Sequence, residues 1–207
     1  MKHPIRLTLG AVALVAASAF ATNSLVSAGQ QQEPSKGGAP AGMDPAMMAE
    51  MMKLGTPGKE HAELLKGVGK WDNTFQMRMA PDAPWMEVKG TMSAHSMLDR
   101  YLVEESEFSF MGMPMKGVNI IGFDNSTGEY TSMWADTMST WWVSARGKPR
   151  ADGVIEFKGT MKDVAGERPF RMEIKHVGPD QVDMVMFDTI PSKGEVEMMR
   201  MTSKRAK

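Results

Sequence analysis

The chain contains no cysteine. That excludes disulfides, thiolate metal sites, a cysteine nucleophile and an acylated lipoprotein anchor. A surplus of one charge is also missing: acids and bases nearly cancel over 207 residues, leaving a formal net charge of −1. Nucleic acid is therefore not an expected partner. The apolar run Leu7–Ala21 falls short of the ~20 residues that a membrane-spanning helix needs. No nucleophile elbow, phosphate loop, zinc signature or dinucleotide fingerprint occurs. Beyond Gly69 no segment has the length and period of a helix, so parallel strands joined by crossovers are not expected.

What is present starts with a secretory pattern. Lys2 and Arg6 precede the short apolar run, and small residues follow at Ala19-Phe-Ala21 and Val26-Ser-Ala28. Residues 1–28 read as a signal peptide, with the second site preferred, and the alternative is a retained N-terminal anchor. The expected location is the periplasm or outside, with no integral membrane contact after cleavage. Residues 29–43 lack periodicity and read as a disordered linker. Residues 44–55 read as a short methionine-rich helix, with Asp44 as N-cap and Pro45 at the first position. Methionine is abundant throughout, at 23 residues.

The rest, residues 56–205, is organised around one stretch. Pro57 and Gly58 open a second short helix, with His61, Leu64, Leu65 and Val68 on one face and Glu60, Glu63 and Lys66 on the other. Gly67 and Gly69 end it. The period then becomes two: Trp71, Phe75, Met77 and Met79 alternate with polar residues, and Asn73 is the misfit on the apolar side. Strand-like runs follow one another across turn residues, at 70–79, 85–95, 101–110, 115–123, 129–136, 140–146, 154–162, 169–176, 181–187 and 195–204. An antiparallel meander of this length curls and closes to remove its edges. The expected fold is all-β, an up-and-down barrel of about ten strands with a helical segment closing one end. The competing architecture is an open Greek-key sandwich.

Gly69-Lys-Trp71 after a short helix resembles the Gly-x-Trp signature of lipocalins and the wider calycin group. Pro57-Gly-x-Glu60-His61, Arg100-Tyr-Leu-Val-Glu-Glu105, Met111-Gly-Met-Pro114, Gly122-Phe-Asp-Asn125, Thr127-Gly-x-Tyr130 and Trp134-x-Asp136-x-Met138-Ser-Thr140 extend the likeness. In that order they resemble a bacterial family known as domain of unknown function 1579, over about residues 44–205. The resemblance implies a calycin-like barrel and carries no activity. It also implies that Trp71 sits inside the closed end under a basic residue of the last strand, Arg205 or Arg200. The sequence departs from the family at Asn73 and Ser203, where aliphatic and aromatic residues are usual.

Candidate site residues follow from the strand faces. Trp134 and Asp136 share a face with Tyr130 and Ser132, so Trp134 can floor a pocket in which Asp136 fixes a polar group, or Asp136 can cap the turn that follows. Trp141 and Trp142 point to opposite sides, which sends one of them to the lumen or its mouth. His95 is the histidine assigned to the lining, and His61 is assigned to a backbone group at the helix–barrel junction. Glu105 and Glu107 share a face, and unpaired strand carboxylates usually meet water. No cofactor is expected. A haem would need His95 or His176, and Cu(I) would need the Met43–Met52 thioethers.

The expected function is binding of a small apolar or amphipathic molecule in the lumen, by an exported protein whose oligomeric state stays open. The alternatives are an enzyme using Asp136 or Glu105 as a proton-transfer base, and a methionine-rich envelope protein that absorbs oxidant or holds copper.

Overall fold

The computed structural model describes residues 44–163 and 166–207. The expected signal peptide and linker lie outside the described residues. The chain forms α1 (Pro45–Gly55), α2 (Lys59–Leu65), β1 (Gly69–Met77), β2 (Met86–Met97), β3 (Tyr101–Phe110), β4 (Met113–Asp124), β5 (Glu129–Asp136), β6 (Val143–Pro149), β7 (Ile155–Asp163), β8 (Gly166–His176), β9 (Gln181–Ile190) and β10 (Gly194–Arg205).

Each strand pairs antiparallel with its neighbours in the chain, and β1 pairs with β10, so the sheet is a closed barrel of ten strands. This is the expected up-and-down architecture. The Trp71↔Arg205 and Phe75↔Met201 pairs seal the seam, and a bulge between Glu197 and Met199 lets β10 bend into it. Closure leaves no free edge. The β3–β4 hairpin shows how local chemistry drives the meander: Met111 and Gly112 both have positive φ, the conformation of a two-residue hairpin turn.

Strand bounds agree with expectation to within about two residues except at β6, which starts and ends three residues later, β8, which starts three earlier, and β9, which ends three later. The Asp136 carboxylate accepts from the Met138 amide at 2.9 Å and the Ser139 hydroxyl donates to the Trp141 carbonyl at 3.3 Å. These local bonds compete with the sheet ladder and hold 137–142 as a loop.

The inward faces do not form one continuous core. One buried cluster gathers Trp71, Met92, Ala94, Leu102 and Ile121, with Leu64 of α2 packed on it. The other gathers Tyr130, Ala145, Phe157 and Phe170. α2 lies against β3 and β4 at the end where β1 begins.

α1 is built as its sequence directs: Asp44 accepts from the Ala46 amide at 2.9 Å, and Pro45 opens the first turn. Its C-terminal carbonyls are clamped. Asn125 donates to Leu54 and Thr56 at 2.9 and 2.8 Å, and Arg100 donates to Gly55 at 2.8 Å. Most of the methionine face is exposed: Met47, Met51 and Met52 are exposed, Met48 is partly covered, and no residue of α1 is buried.

Candidate functional site

The closed end is built on Trp71, which is 3% exposed. Its Nε1 donates to the Gly67 carbonyl at 2.8 Å, tying the ring to the exit of α2. The Arg205 guanidinium lies over the indole, 4.4 Å from its centre. It also donates to the Val68 and Lys66 carbonyls, each at 2.9 Å, and so satisfies acceptors that α2 leaves open at its C-terminus. Gly69 makes this possible: its φ is +142° and a Cβ there would lie 2.6 Å from the guanidinium. His61 is buried, accepts from the Gly58 amide at 3.0 Å and meets Phe123 edge-on. Arg200 has no part in this. It is exposed and lies over Trp85 instead, as does Arg78.

Above this base the interior opens. Towards the other end the inward side chains are mixed: Val88, Phe108, Met115, Trp134, Val143 and Met186 keep intermediate accessibility, while Ser106, Phe170 and Asp188 are buried. A row of paired inward positions climbs from base to mouth: Gly69, Ala94, Glu104, Asn119, Trp134, Val143. Its polar members form a chain. The Ser132 hydroxyl donates to Asn119 Oδ1 at 2.8 Å, and Asn119 Nδ2 donates to Glu104 Oε2 at 3.0 Å. Glu104 Oε1 takes no hydrogen bond and is not fully buried. Burial pushes the Glu104 carboxyl above the usual carboxylate range, against the smaller downward pull of the Asn119 bond.

That displacement has a sign consequence. A folded-state pKa above the unfolded one means that the folded chain holds a proton the unfolded chain has released, so stability falls as pH rises through the window between the two. Glu104→Gln mimics the protonated acid. It is expected to match the wild type at about pH 4 and to exceed it by about 1–3 kcal/mol at about pH 8, the scale of a buried group relieved of desolvation. Urea midpoints at the two pH values check this. A variant equally stable or unstable relative to wild type at both would contradict it. The variant–wild-type difference cancels Asp124 and Asp152, whose bonds to Ser126 and Arg150 hold them down at about 2.

Trp134 faces inward, and its ring lies over Gly117, where any Cβ would collide with the indole. Its Nε1 donates to Asp136 Oδ2 at 2.8 Å, while Asp136 Oδ1 takes the Met138 amide. Asp136 therefore both caps its loop and fixes the indole, with both oxygens occupied. Trp141 and Trp142 stay in the β5–β6 loop at the mouth, 38% and 54% exposed, and neither fills the lumen.

The lining assignment of His95 is corrected here, while Glu105 takes the solvated position expected of a strand carboxylate. His95 is exposed on the outer face of β2, out of phase with Met92 and Ala94, and does not line the lumen. Glu105 also points outward and is exposed; the neighbouring outward carboxylate, Glu107, pairs with Lys116 at 2.6 Å. The lumen carboxyl of β3 is Glu104, on the face opposite to Glu105 and Glu107.

A second polar group stands at the mouth. Arg168 donates through Nε to both oxygens of Asp188 at 2.7 Å, and through its two terminal nitrogens to Asp163 at 2.8 and 2.7 Å. Asp188 is 4% exposed. Its hydrogen bonds to the Asp163 and Asp188 carboxylates raise the Arg168 pKa further. At the base, Asn73 and Ser203 face each other across β1 and β10, both 2% exposed. Neither side chain finds a hydrogen-bond partner. Buried groups of this kind cost stability and call for an explanation.

The barrel is similar to the S-type phycobiliprotein lyase CPES from Guillardia theta, with a TM-score of 0.53 at 12% identity, over 72% of this chain and 93% of that one. It is also similar to a de novo designed fluorescence-activating β-barrel (16% identity, 69% and 96% coverage, TM-score 0.39) and to a redesigned β-barrel (15%, 71% and 96%, 0.37). At such identities the likeness to the lyase speaks for the fold alone. No curated protein matches the sequence. Residues 56–205, which comprise α2 and the whole barrel, match the family described as protein of unknown function DUF1579, and the chain belongs to that family.

Proposed function

We propose that this is an exported protein that binds one small, largely apolar molecule in the barrel lumen. The observation that carries the reading is the set of inward side chains beyond the sealed Trp71 end that keep accessibility, Glu104, Asn119, Trp134 and Val143 among them. Such a space holds a ligand by burying apolar surface, at about 25 cal/mol per Å². A few placed polar groups then set its orientation. About 250 Å² of ligand surface would supply about 6 kcal/mol before the costs of association. The inward methionines, among them Met115, Met161, Met172 and Met186, adapt their unbranched side chains to the guest's shape.

Glu104, Asn119 and Trp134 supply the orienting groups. Asp136 supports them from behind by holding the indole. Export rests on Lys2, Arg6 and the run Leu7–Ala21.

Native mass spectrometry of the protein recovered from its own host tests both parts at once. The expected result is a chain beginning near Gly29 that carries one small molecule, released on collisional activation. A chain that emerges bare, and that takes up no N-phenyl-1-naphthylamine on titration, removes the binding reading. An intact residue 1 removes the export reading.

A further inference from the structure

The charges that face inward say more about the guest. Among the described residues the inward-facing bases are Arg168, His176 and Arg205. Arg168 is committed to Asp188 and Asp163. Arg205 is committed to Trp71, Asp180 and the α2 carbonyls. His176 ends β8 at the closed end of the barrel. The open half of the interior thus has no free cation to receive a carboxylate or phosphate. Of the acids there, Asp136 has both oxygens bonded and Asp188 is committed to Arg168, while Glu104 keeps one oxygen without a hydrogen bond.

The geometry around Glu104 points the same way. Asn119 fixes one of its oxygens and leaves Oε1 turned to open space. Trp134 stands two strands away, about 10 Å along the sheet by ordinary strand spacing. Its ring covers Gly117, which pairs with Ser106, the next inward position after Glu104 on β3. An indole face therefore lies diagonally across from an acceptor oxygen. The indole N–H is already bonded to Asp136, so what the ring offers a guest is its π face.

Asn73 and Ser203, in the layer above Trp71, are buried and unpartnered. They can donate and accept alike, so they do not choose a sign. The sign is set by Glu104.

We propose that the lumen takes an apolar amine whose protonated nitrogen is received between Glu104 Oε1 and the face of Trp134. This rests on the lumen-binding reading above. A protonated amine donates the hydrogen bonds that Oε1 lacks, and a charge-assisted bond is about twice as strong as a neutral one. The indole adds a cation–π attraction. An anionic amphiphile would set its charge against the Glu104 carboxyl with no free inward cation among the described residues to offset it.

The test is displacement of N-phenyl-1-naphthylamine, an uncharged probe, by three amphiphiles of one chain length: dodecylamine, dodecanol and dodecanoate. Dodecylamine is expected to bind about tenfold more tightly than dodecanol, the equivalent of about 1.4 kcal/mol, with dodecanoate the weakest. In Glu104→Gln the amine-to-alcohol ratio is expected to fall below about threefold, while displacement by dodecanol shows that the barrel is still folded. Dodecanoate binding as tightly as dodecylamine, or an amine preference that survives Glu104→Gln, overturns the amine proposal and leaves the lumen reading standing. Failure of the probe and all three amphiphiles to bind overturns both.

Discussion

Trp71→Ala is expected to destabilise the barrel by about 3–5 kcal/mol, the range for removing a large buried aromatic side chain. The ring is 3% exposed and forms the floor of the basal cluster, so the cavity left behind is enclosed by Met92, Leu102 and Ile121 and cannot collapse freely. Two further losses follow. The Gly67 carbonyl loses its donor, and Arg205 loses the surface that it stacks on. Because α2 is tied to the barrel through the same ring, its last turn should fray. For a chain of this size the deficit corresponds to about 6–20 °C in melting temperature. Trp71→Phe keeps the apolar bulk and gives up the bond to Gly67, so it should cost only about 1–2 kcal/mol. Urea unfolding followed by circular dichroism separates the two. An alanine variant within about 1 kcal/mol of wild type would show that the indole is not the stopper.

The place of that indole was legible before any coordinates, and the reason is physical. A helix ended by Gly67 and Gly69, followed at once by a period-two run, leaves Trp71 as the first inward residue of the first strand. Strand faces were legible for the same reason, since side chains alternate and only one face of a closed sheet is buried. Boundaries failed at β6, where Trp141-Trp142-Val143 has strand-like composition. The local bonds at Asp136 and Ser139 outweigh that preference, and propensity is always the weaker term against such context.

The site was less legible, and alternation shows where the signal was and where it was not. The phase that puts Met92 and Ala94 inward puts His95 outward, so its removal from the lining was available in the sequence. Arg200 and Arg205 have opposite parity on β10, and the bulge at Glu197/Met199 lies before both, so only one could cover the indole. Glu104 was different. Buried carboxylates are rare enough that three glutamates within four residues, Glu104, Glu105 and Glu107, read as a wet surface. What turns Glu104 inward is the register that sets it between Ala94 and Asn119, and no local pattern carries that. The same holds for Arg168, Asp163 and Asp188, which meet only because β7, β8 and β9 are adjacent.

That cluster supplies the other large expected effect. Arg168→Met should cost about 3–5 kcal/mol, because breaking a buried pair from one side leaves the other charge uncompensated. Asp188 is 4% exposed and takes both of its close bonds from Arg168, so water cannot replace the lost partner. Asp163 is nearer the surface, with a side chain 39% accessible, and contributes less to the penalty. The double variant Arg168→Met/Asp188→Leu removes both charges and fills the space with apolar atoms. It should recover most of the deficit, since replacing a buried ion pair by packed hydrophobic residues is often neutral or better. The cycle of single and double variants, read by urea unfolding, gives a coupling of about 2–3 kcal/mol if the argument holds. A double variant no more stable than Arg168→Met would mean that the guanidinium acts through its packing against Met161, 3.6 Å from the sulfur, and not through the charge it neutralises. If instead the pair is kept at the mouth for what enters there, the double variant should be stable and yet bind the uncharged probe with altered affinity, because the charges at the rim have gone while the walls remain.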